Sequence, residues 1–552
     1  MTKKTILAAL AVAASTLSAN AGGINTNTNQ SVAFLRNPAR DAAIGIDGVY
    51  SNPAGVALLK DGFHIGVTWQ TAIQTRTVET TSPFLDHTLS TIAGVDKDGN
   101  PILKEDVPYP TKQYRGHATA PIVPSVQAAY NKSKWSFQFG FAINGGGGKC
   151  EFSKGLGSFE NAIGSKASLF NPLGAMGYSV DSYMEGSNYF YGITLGAAYK
   201  VVDKDDLKLS VYGGLRGLIG SANYKAQIKD IQVATSKGLV DLPTFISDNP
   251  QKAALVAKKA ELQGNLDQIA EVKKLEPLET LYKTAAADPS NLKAQGEAKA
   301  ILGLLDTYRK LTAGIAQVEG GIAMMDAGIA QAEEKLKPYM DGRLDLVECD
   351  QSGFGIAPIL GFDLQYKRFN IAAKYEFRTK MNLKNSSNLN ESTITETEQF
   401  VNGTKVREDS PAILTLGAQY SPIDIVRLNF GYHHYYDLGA KKFGDKQDLL
   451  SGGTNEYLGG VEVDATDRLI LSTGFQITRY GLTDAYMSDI SFVTNSWSFG
   501  FGASYQANPN VKIEAAYFKT LYSNYKTATD GGICYDFTRD NDVIGVGLVV
   551  NL

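Results

Sequence analysis

The chain has 552 residues and a nearly balanced charge, 53 Lys and Arg against 57 Asp and Glu, so its net charge of −4 gives no reason to expect nucleic acid as a partner. No segment after the N-terminal region has the roughly 18 uninterrupted apolar residues of a membrane helix. A barrel stays open, because its strands expose only alternate residues to lipid, and the abundance of Gly (56), Tyr (28) and Phe (24) suits barrel bends and interfacial aromatic rings.

Residues 1–21 combine Lys3 and Lys4, an apolar stretch from Ile6 to Leu17 and a small-x-small exit at Ala19-Asn20-Ala21. That order predicts a cleavable signal peptide and a mature start at Gly22. Residues 22–60 follow as a segment with too little alternation for a strand pair and too many small residues for full exposure. It ends in DGVYSNPAGVALL (47–59), where Asn52-Pro53 marks a turn. An internal plug is expected here. Phe34, Leu35, Val49 and Tyr50 are candidates to touch an apolar ligand. Arg36 and Arg40 suit either a ligand carboxylate or ion pairs to wall groups such as Glu376, Glu462, Asp464 or Glu514. Asn52, Pro53, Ala54 and Gly55 form the candidate gate turn.

Strict alternation begins at Phe63, with Ile65, Val67 and Trp69 on one face and His64, Gly66, Thr68 and Gln70 on the other. It recurs at Trp135, Phe137, Phe139, Phe141 and Ile143, and again at Trp497, Phe499, Phe501 and Tyr505. Tight turns are expected near 131–134, 202–206, 367–368, 422–424, 466–467 and 508–510. Long links are expected at 78–116, 145–187, 223–352, 384–409, 439–454, 481–495 and 523–541. Six short turns and seven long loops connect fourteen antiparallel strands. The fold class is therefore an all-β transmembrane barrel, with strands 1–5 in 61–222 and strands 6–14 in 352–552. Short turns belong to the periplasmic side and long loops to the outside.

The third long loop, within 223–351, changes character over 241–340. Tyr308, Leu311, Ile315, Val318, Ile322, Met325, Ile329, Ala332 and Leu336 repeat at steps of three and four, a heptad seam. Leu255, Leu262, Leu266 and Ile269 supply an antiparallel partner, and Pro277 and Pro289 mark breaks. A helical hairpin on the third extracellular loop is expected, its longer arm about 70 Å at 1.5 Å per residue. It either caps the barrel mouth or stands out as a stalk for an external partner. Gly303, Gly314, Gly320, Gly321 and Gly328 favour close helix packing over a free rod.

No catalytic set, metal motif or phosphate loop is present, so neither an enzyme nor a bound cofactor or metal is expected. The adjacent His433 and His434 of YHHYYD (432–437) point to opposite faces of a strand and cannot share an ion. They are expected as outer-rim aromatic-girdle residues. Cys150, Cys349 and Cys534 allow one disulfide and a free thiol, or three free thiols. Gly145-Gly146-Gly147-Gly148, after Asn144, lacks the lysine-hydroxyl ending of a phosphate loop and reads as a flexible loop start.

The Tyr50-Ser51-Asn52-Pro53-Ala54-Gly55 stretch behind a signal and ahead of fourteen strands resembles the plug of FadL-type outer-membrane transporters of Gram-negative bacteria. SGFGIAPILGFDLQYKRFNIAAKYEFRTKMNLK (352–384), SPAILTLGAQYSP (410–422) and EYLGGVEVDATDRLILSTGFQ (456–476) are similar to family strand pairs. The terminal strand Val546, Leu548, Val550, Leu552 has the alternation that barrel-assembly machinery reads, although it ends in Leu rather than an aromatic. The resemblance implies passive uptake of long-chain fatty acids or aromatic hydrocarbons by a monomer in outer-membrane lipid, with no cofactor or energy source. It also implies a kinked third strand that opens a lateral gap; Asn144 and Gly145–Gly148 stand at that place, without the family's Pro-aromatic-Gly step. The competing expectation is a surface anchor or adhesin whose barrel presents the hairpin.

Overall fold

The computed structural model describes residues 26–96, 101–340, 343–390 and 395–552; the signal segment 1–21 and the start at Gly22 lie outside the described residues. Among the described residues, fourteen antiparallel strands form one closed barrel. They are β1 Gly62–Thr81, β2 Thr111–Lys132, β3 Trp135–Phe152, β4 Gly177–Lys204, β5 Leu207–Thr235, β6 Arg343–Tyr366 and β7 Phe369–Glu376. The second half is β8 Ile413–Ile423, β9 Val426–Tyr435, β10 Gly452–Thr466, β11 Leu469–Gly481, β12 Ser496–Asn508, β13 Val511–Tyr522 and β14 Cys534–Asn551. Each strand pairs with its neighbour, and β14 closes on β1 with Trp69 opposite Val546. Closure leaves no open edge, which lipid would not tolerate.

Alternation puts Phe63, Val67, Trp69, Phe137, Phe139, Trp497, Phe499 and Phe501 on the outer face, and His64, Thr68, Gln70, Ser136, Gln138 and Ser498 inside. Ile143 breaks the expected pattern. It is buried, because β-bulges at 143–145 and 146–148 turn β3 inward. The glycine run is part of β3 and not a loop start, and Gly146 adopts φ +69°.

Strands β4, β5 and β6 have 28, 29 and 24 residues, whereas a tilted strand crosses the hydrocarbon in about 9–11. Their excess rises above the membrane, so the link expected at 223–352 shrinks to 236–342. Polarity explains the misplaced boundary. Within the bilayer β5 turns Val211, Leu215 and Ile219 outward, but above it Tyr224, Ala226, Ile228 and Val233 point inward and Lys225, Gln227 and Lys229 outward. A pattern read for lipid contact stops at that inversion.

The inward apolar faces meet in a cap over the extracellular mouth. Its core includes Val78, Phe84, Phe159, Tyr224, Phe245, Phe400, Tyr486, Phe492 and Phe537. Helix α1 (Val32–Arg36) lies in the lumen and α2 (Gly157–Ala167) in the cap. The hairpin consists of α3 (Pro250–Gln268) and α4 (Glu279–Ala287) against the 45-residue α5 (Leu292–Leu336). Ile329, Ala332 and Leu336, at the base of α5, belong to the cap core. The rest of α5 packs on α3, α4 and the turn of helix between them. Cap and stalk are thus two ends of one element. A Cβ on Gly314 or Gly321 would sit 3.5 Å from Leu262 or Leu255, and one on Gly328 3.2 Å from Leu173, whereas Gly303 and Gly320 face open space.

The three cysteines are free and buried. His433 is not a girdle residue. It points into the lumen between Asp41 at 2.9 Å and Glu456 at 2.8 Å, while His434 faces outward and bonds Asn455. The faces are opposite, as adjacent strand residues must be.

Candidate functional site: the lumen segment and a break in the wall

Residues 26–43 are buried inside the barrel, and α1 is capped by Ser31, whose hydroxyl accepts from the Phe34 amide at 3.1 Å. Asn37-Pro38 ends the helix and turns the chain. Arg36 then meets Glu462 at 2.5 Å and Glu514 at 3.4 Å, and Arg40 meets Asp47 at 2.8 Å and Glu462 at 3.1 Å. The geometry commits both guanidinium groups to carboxylates of the wall and of the segment itself. A ligand head group would have to compete with them. Of the other wall acids singled out from sequence, Glu376 pairs with Arg216 and Asp464 with Arg427.

Asn52, Pro53, Ala54 and Gly55 are fastened to three strands. Asn52 Nδ2 donates to Asp363 on β6 at 2.6 Å, Gln138 on β3 donates to the Pro53 carbonyl at 2.7 Å, and Ser210 on β5 donates to the Ala54 carbonyl at 2.7 Å. Gly55 admits no side chain, since a Cβ would lie 2.4 Å from Asn52 Nδ2. Its amide donates to Asn52 Oδ1 at 3.2 Å, so one side chain holds both the turn and the wall.

Tyr50 links this turn to the first residues of the segment. Its ring lies between Lys374 at 4.4 Å and Arg216 at 4.9 Å, and its hydroxyl donates to the Asn27 carbonyl at 3.0 Å. Val49 packs separately, with Ile46, Val56, Ala129 and Val549. Tyr50 borders two cavities. One also touches Phe34, Lys374 and His433, the other Val49, Gln127 and Asn144, and each has about 10 Å³, room for roughly one water.

Asn27 leads to the wall defect. β2 and β3 pair at 117–119 with 149–151 and at 126–132 with 135–141, and the ladder is interrupted in between. Pro121 and Pro124 lie in the interrupted part of β2, where they bring no N–H to a ladder. On β3 a Cβ at Gly146 would stand 1.8 Å from the Asn188 carbonyl oxygen, so only glycine fits. The segment covers the break. Asn27 donates from its amide to the Asn144 carbonyl at 2.8 Å and from Nδ2 to Gly146 at 2.7 Å. Gln30 donates to Ile143 at 3.0 Å, and its carbonyl accepts from Ser125 on the opposite strand at 2.6 Å.

Phe34 and Leu35 lie in an apolar cluster with Ala120, Val123 and Ile143, which flank the break. Sequence reasoning placed Asn144 and the glycines here but missed Asn27, Gln30, Lys374 and Arg216. Two prolines inside an otherwise alternating run, APIVPS (120–125), were the available signal for the β2 side.

No protein-family model and no curated protein matches the chain. Solved structures do. One is a Pseudomonas aeruginosa FadL homologue, with 11% identity, TM-score 0.48, and 96% of this chain and 100% of that one covered. A second is the Ralstonia pickettii toluene transporter TbuX, with 12% identity, TM-score 0.44, and coverage of 94% and 97%. A third is the Pseudomonas putida toluene transporter TodX, with 12% identity, TM-score 0.43, and coverage of 95% and 99%. The fourteen-strand fold itself stands on the strand pairing described above.

Proposed function

We propose that the chain is a FadL-type transporter of the Gram-negative outer membrane that passes hydrophobic molecules, long-chain fatty acids or aromatic hydrocarbons, through a plugged barrel. The observation that carries this reading is the joining of plug turn to wall break: Asn52–Asp363, then Tyr50–Asn27, then Asn27–Gly146. An apolar solute enters below the cap, meets Phe34 and Leu35, and displaces the segment. Withdrawal of Asn27 and Gln30 uncovers the break between β2 and β3, and the solute leaves sideways into lipid along Ala120, Val123 and Ile143. The protein acts as a monomer inserted by barrel-assembly machinery, and no chemistry is asked of it.

Uptake of a labelled hydrophobic solute by cells making this chain tests the reading. Uptake should fall in Tyr50→Ala, which cuts the link to Asn27, and persist when the hairpin is shortened by removing 260–316. The upper hairpin exposes Leu281 and Leu292, which favours a surface-anchor role as the competing reading. No uptake by the intact chain, together with cell attachment that vanishes on shortening, would establish that role instead.

A further inference from the structure

On the outer face, at the short-turn end of the barrel, the wall carries an apolar groove of about 530 Å³, within the range of about 300–1,000 Å³ of small-molecule sites. Strand register explains its shape. Two rows of outward side chains cross the wall there, between β5 and β9. The row beside the turns pairs Leu207 with Tyr366, Tyr366 with Phe369 and Phe369 with Tyr420. The row one step deeper pairs Leu364 with Ile371, Ile371 with Ala418 and Ala418 with Phe430. Ala418 is the small member of that row, so a notch opens between Ile371 and Phe430.

The two rows differ as the two depths of a leaflet do. Tyr366, Phe369 and Tyr420 are aromatic, with Phe369 and Tyr420 stacked at 4.5 Å, and they stand where an interfacial girdle belongs. Ile371 and Phe430 are exposed and apolar, as contact with hydrocarbon requires. Just beyond the girdle two turns meet, where the Lys367 amide donates to the Asp206 carbonyl at 3.0 Å. Together they present both signs of charge, Asp205 and Asp206 from one turn and Lys367 from the other, all exposed. Lys367 Nζ stands over the Tyr366 ring at 5.4 Å, at the mouth of the groove. Arg368 beside it is occupied, paired with Asp424 at 2.8 Å and donating to the carbonyls of Ser421 and Pro422 at 3.1 Å.

We propose that this groove holds an acyl chain of one phospholipid with a phosphoethanolamine head group, drawn from the leaflet at the short-turn end. The proposal rests on the membrane placement of the barrel and not on what crosses its lumen. Lipid chains slide past a flat wall. A notch either seats a chain or leaves its own lining without contact, so the chain that fills it is held more tightly than its neighbours. From that seat the phosphate meets Lys367 and the ammonium meets Asp205 and Asp206. A head group without the ammonium would leave its phosphate facing those two carboxylates, and a trimethylated one would bring them no N–H.

The test incubates the full chain, purified in a mild detergent, with equal amounts of phosphatidylethanolamine, phosphatidylglycerol and phosphatidylcholine of identical chains. Native mass spectrometry then counts what stays bound. One phosphatidylethanolamine per chain should remain, preferred about tenfold over either other lipid, the worth of one charge-assisted hydrogen bond. Ala418→Phe, which fills the notch, should cut that retention about tenfold. Gly213→Phe should not, because Gly213 lies opposite the outward Leu360 and an added Cβ meets nothing within 4 Å. Lys367→Gln and Asp206→Asn lie in exposed turns and keep the groove, so they test the site even where Ala418→Phe does not fold. Both should remove the head-group preference. Equal retention of the three lipids by the intact chain, unchanged retention in folded Ala418→Phe, or an equal loss in Gly213→Phe would overturn the site. Retained phosphatidylethanolamine in a chain that takes up no hydrophobic solute would overturn transport and leave this site standing.

Discussion

Asn52 divides its amide between plug and wall, Oδ1 to the Gly55 amide and Nδ2 to Asp363. Asn52→Ala should cost the plug about 1–3 kcal/mol, because Asp363 keeps only the 2.8 Å bond from Asn370 among its side-chain donors. Faster hydrogen exchange over residues 45–59, with the barrel unchanged, is the expected signature. At Gly146 the constraint is steric. With φ +69° and no room for a Cβ, Gly146→Ala should straighten β3 or fail to assemble, read as loss of the folded band in unheated gels. The two residues differ in how visible they were. The Asn-Pro-Ala turn announces itself, but the wall partner of Asn52, Asp363, lies 311 residues away. Arg36 and Arg40 were legible as cations in a plug, and only the fold decided that Glu462 lies between them.

At the scale of elements, period carried most of the information. The heptad seam from Tyr308 to Leu336 ends where α5 ends, because helix burial repeats where the helix has a partner to pack on, but it begins sixteen residues after the helix start at Leu292. Strand limits failed in β4 to β6, where the inner face of the wall becomes the apolar one. The hairpin glycines split into two classes with different expected outcomes. Gly303→Ala and Gly320→Ala, which meet open space, should each raise helix stability by up to about 1 kcal/mol in thermal melts followed by circular dichroism. Gly328→Ala presses on Leu173 and should gain less or lose. In the cap, Asp489 accepts from the Ser158 amide at 2.8 Å and holds the start of α2. Burial pushes its carboxyl up from 3.8 to about 6. A raised acid pKa means the cost of the buried charge is complete above about pH 6 and gone below 3.8, so the cap gains stability as pH falls through that window. The gain should be roughly 2–3 kcal/mol. The protection of the Ser158 amide, with the intrinsic pH dependence of exchange divided out, should rise between pH 7 and 5, and Asp489→Asn should remove that rise.

For the whole molecule, the strand count was legible because turns alternate short and long, and an even number lets the last strand close antiparallel on the first. How the hairpin joins the barrel was not, since its base is a buried part of the cap. Removing 241–340 would take Phe245, Ile329 and Leu336 from that core, whereas removing 260–316 spares them. The longer deletion should therefore lower the barrel's melting temperature and the shorter one leave it unchanged.

The ion pairs of Arg36 span 426 and 478 residues of sequence. Arg36 is thus made long before its counter-charges, which arrive with β10 and β13, whereas Asn52, Pro53 and Ala54 find their partners earlier, on β3, β5 and β6. Loops of that length close slowly, so the early segment must wait without its counter-charges while the wall is laid down. A chain truncated before Glu514 would carry most of the staves of the barrel and leave Arg36 with one of its two carboxylates. The charge balance around Arg36 is complete only when β13, the last stave but one, is in place.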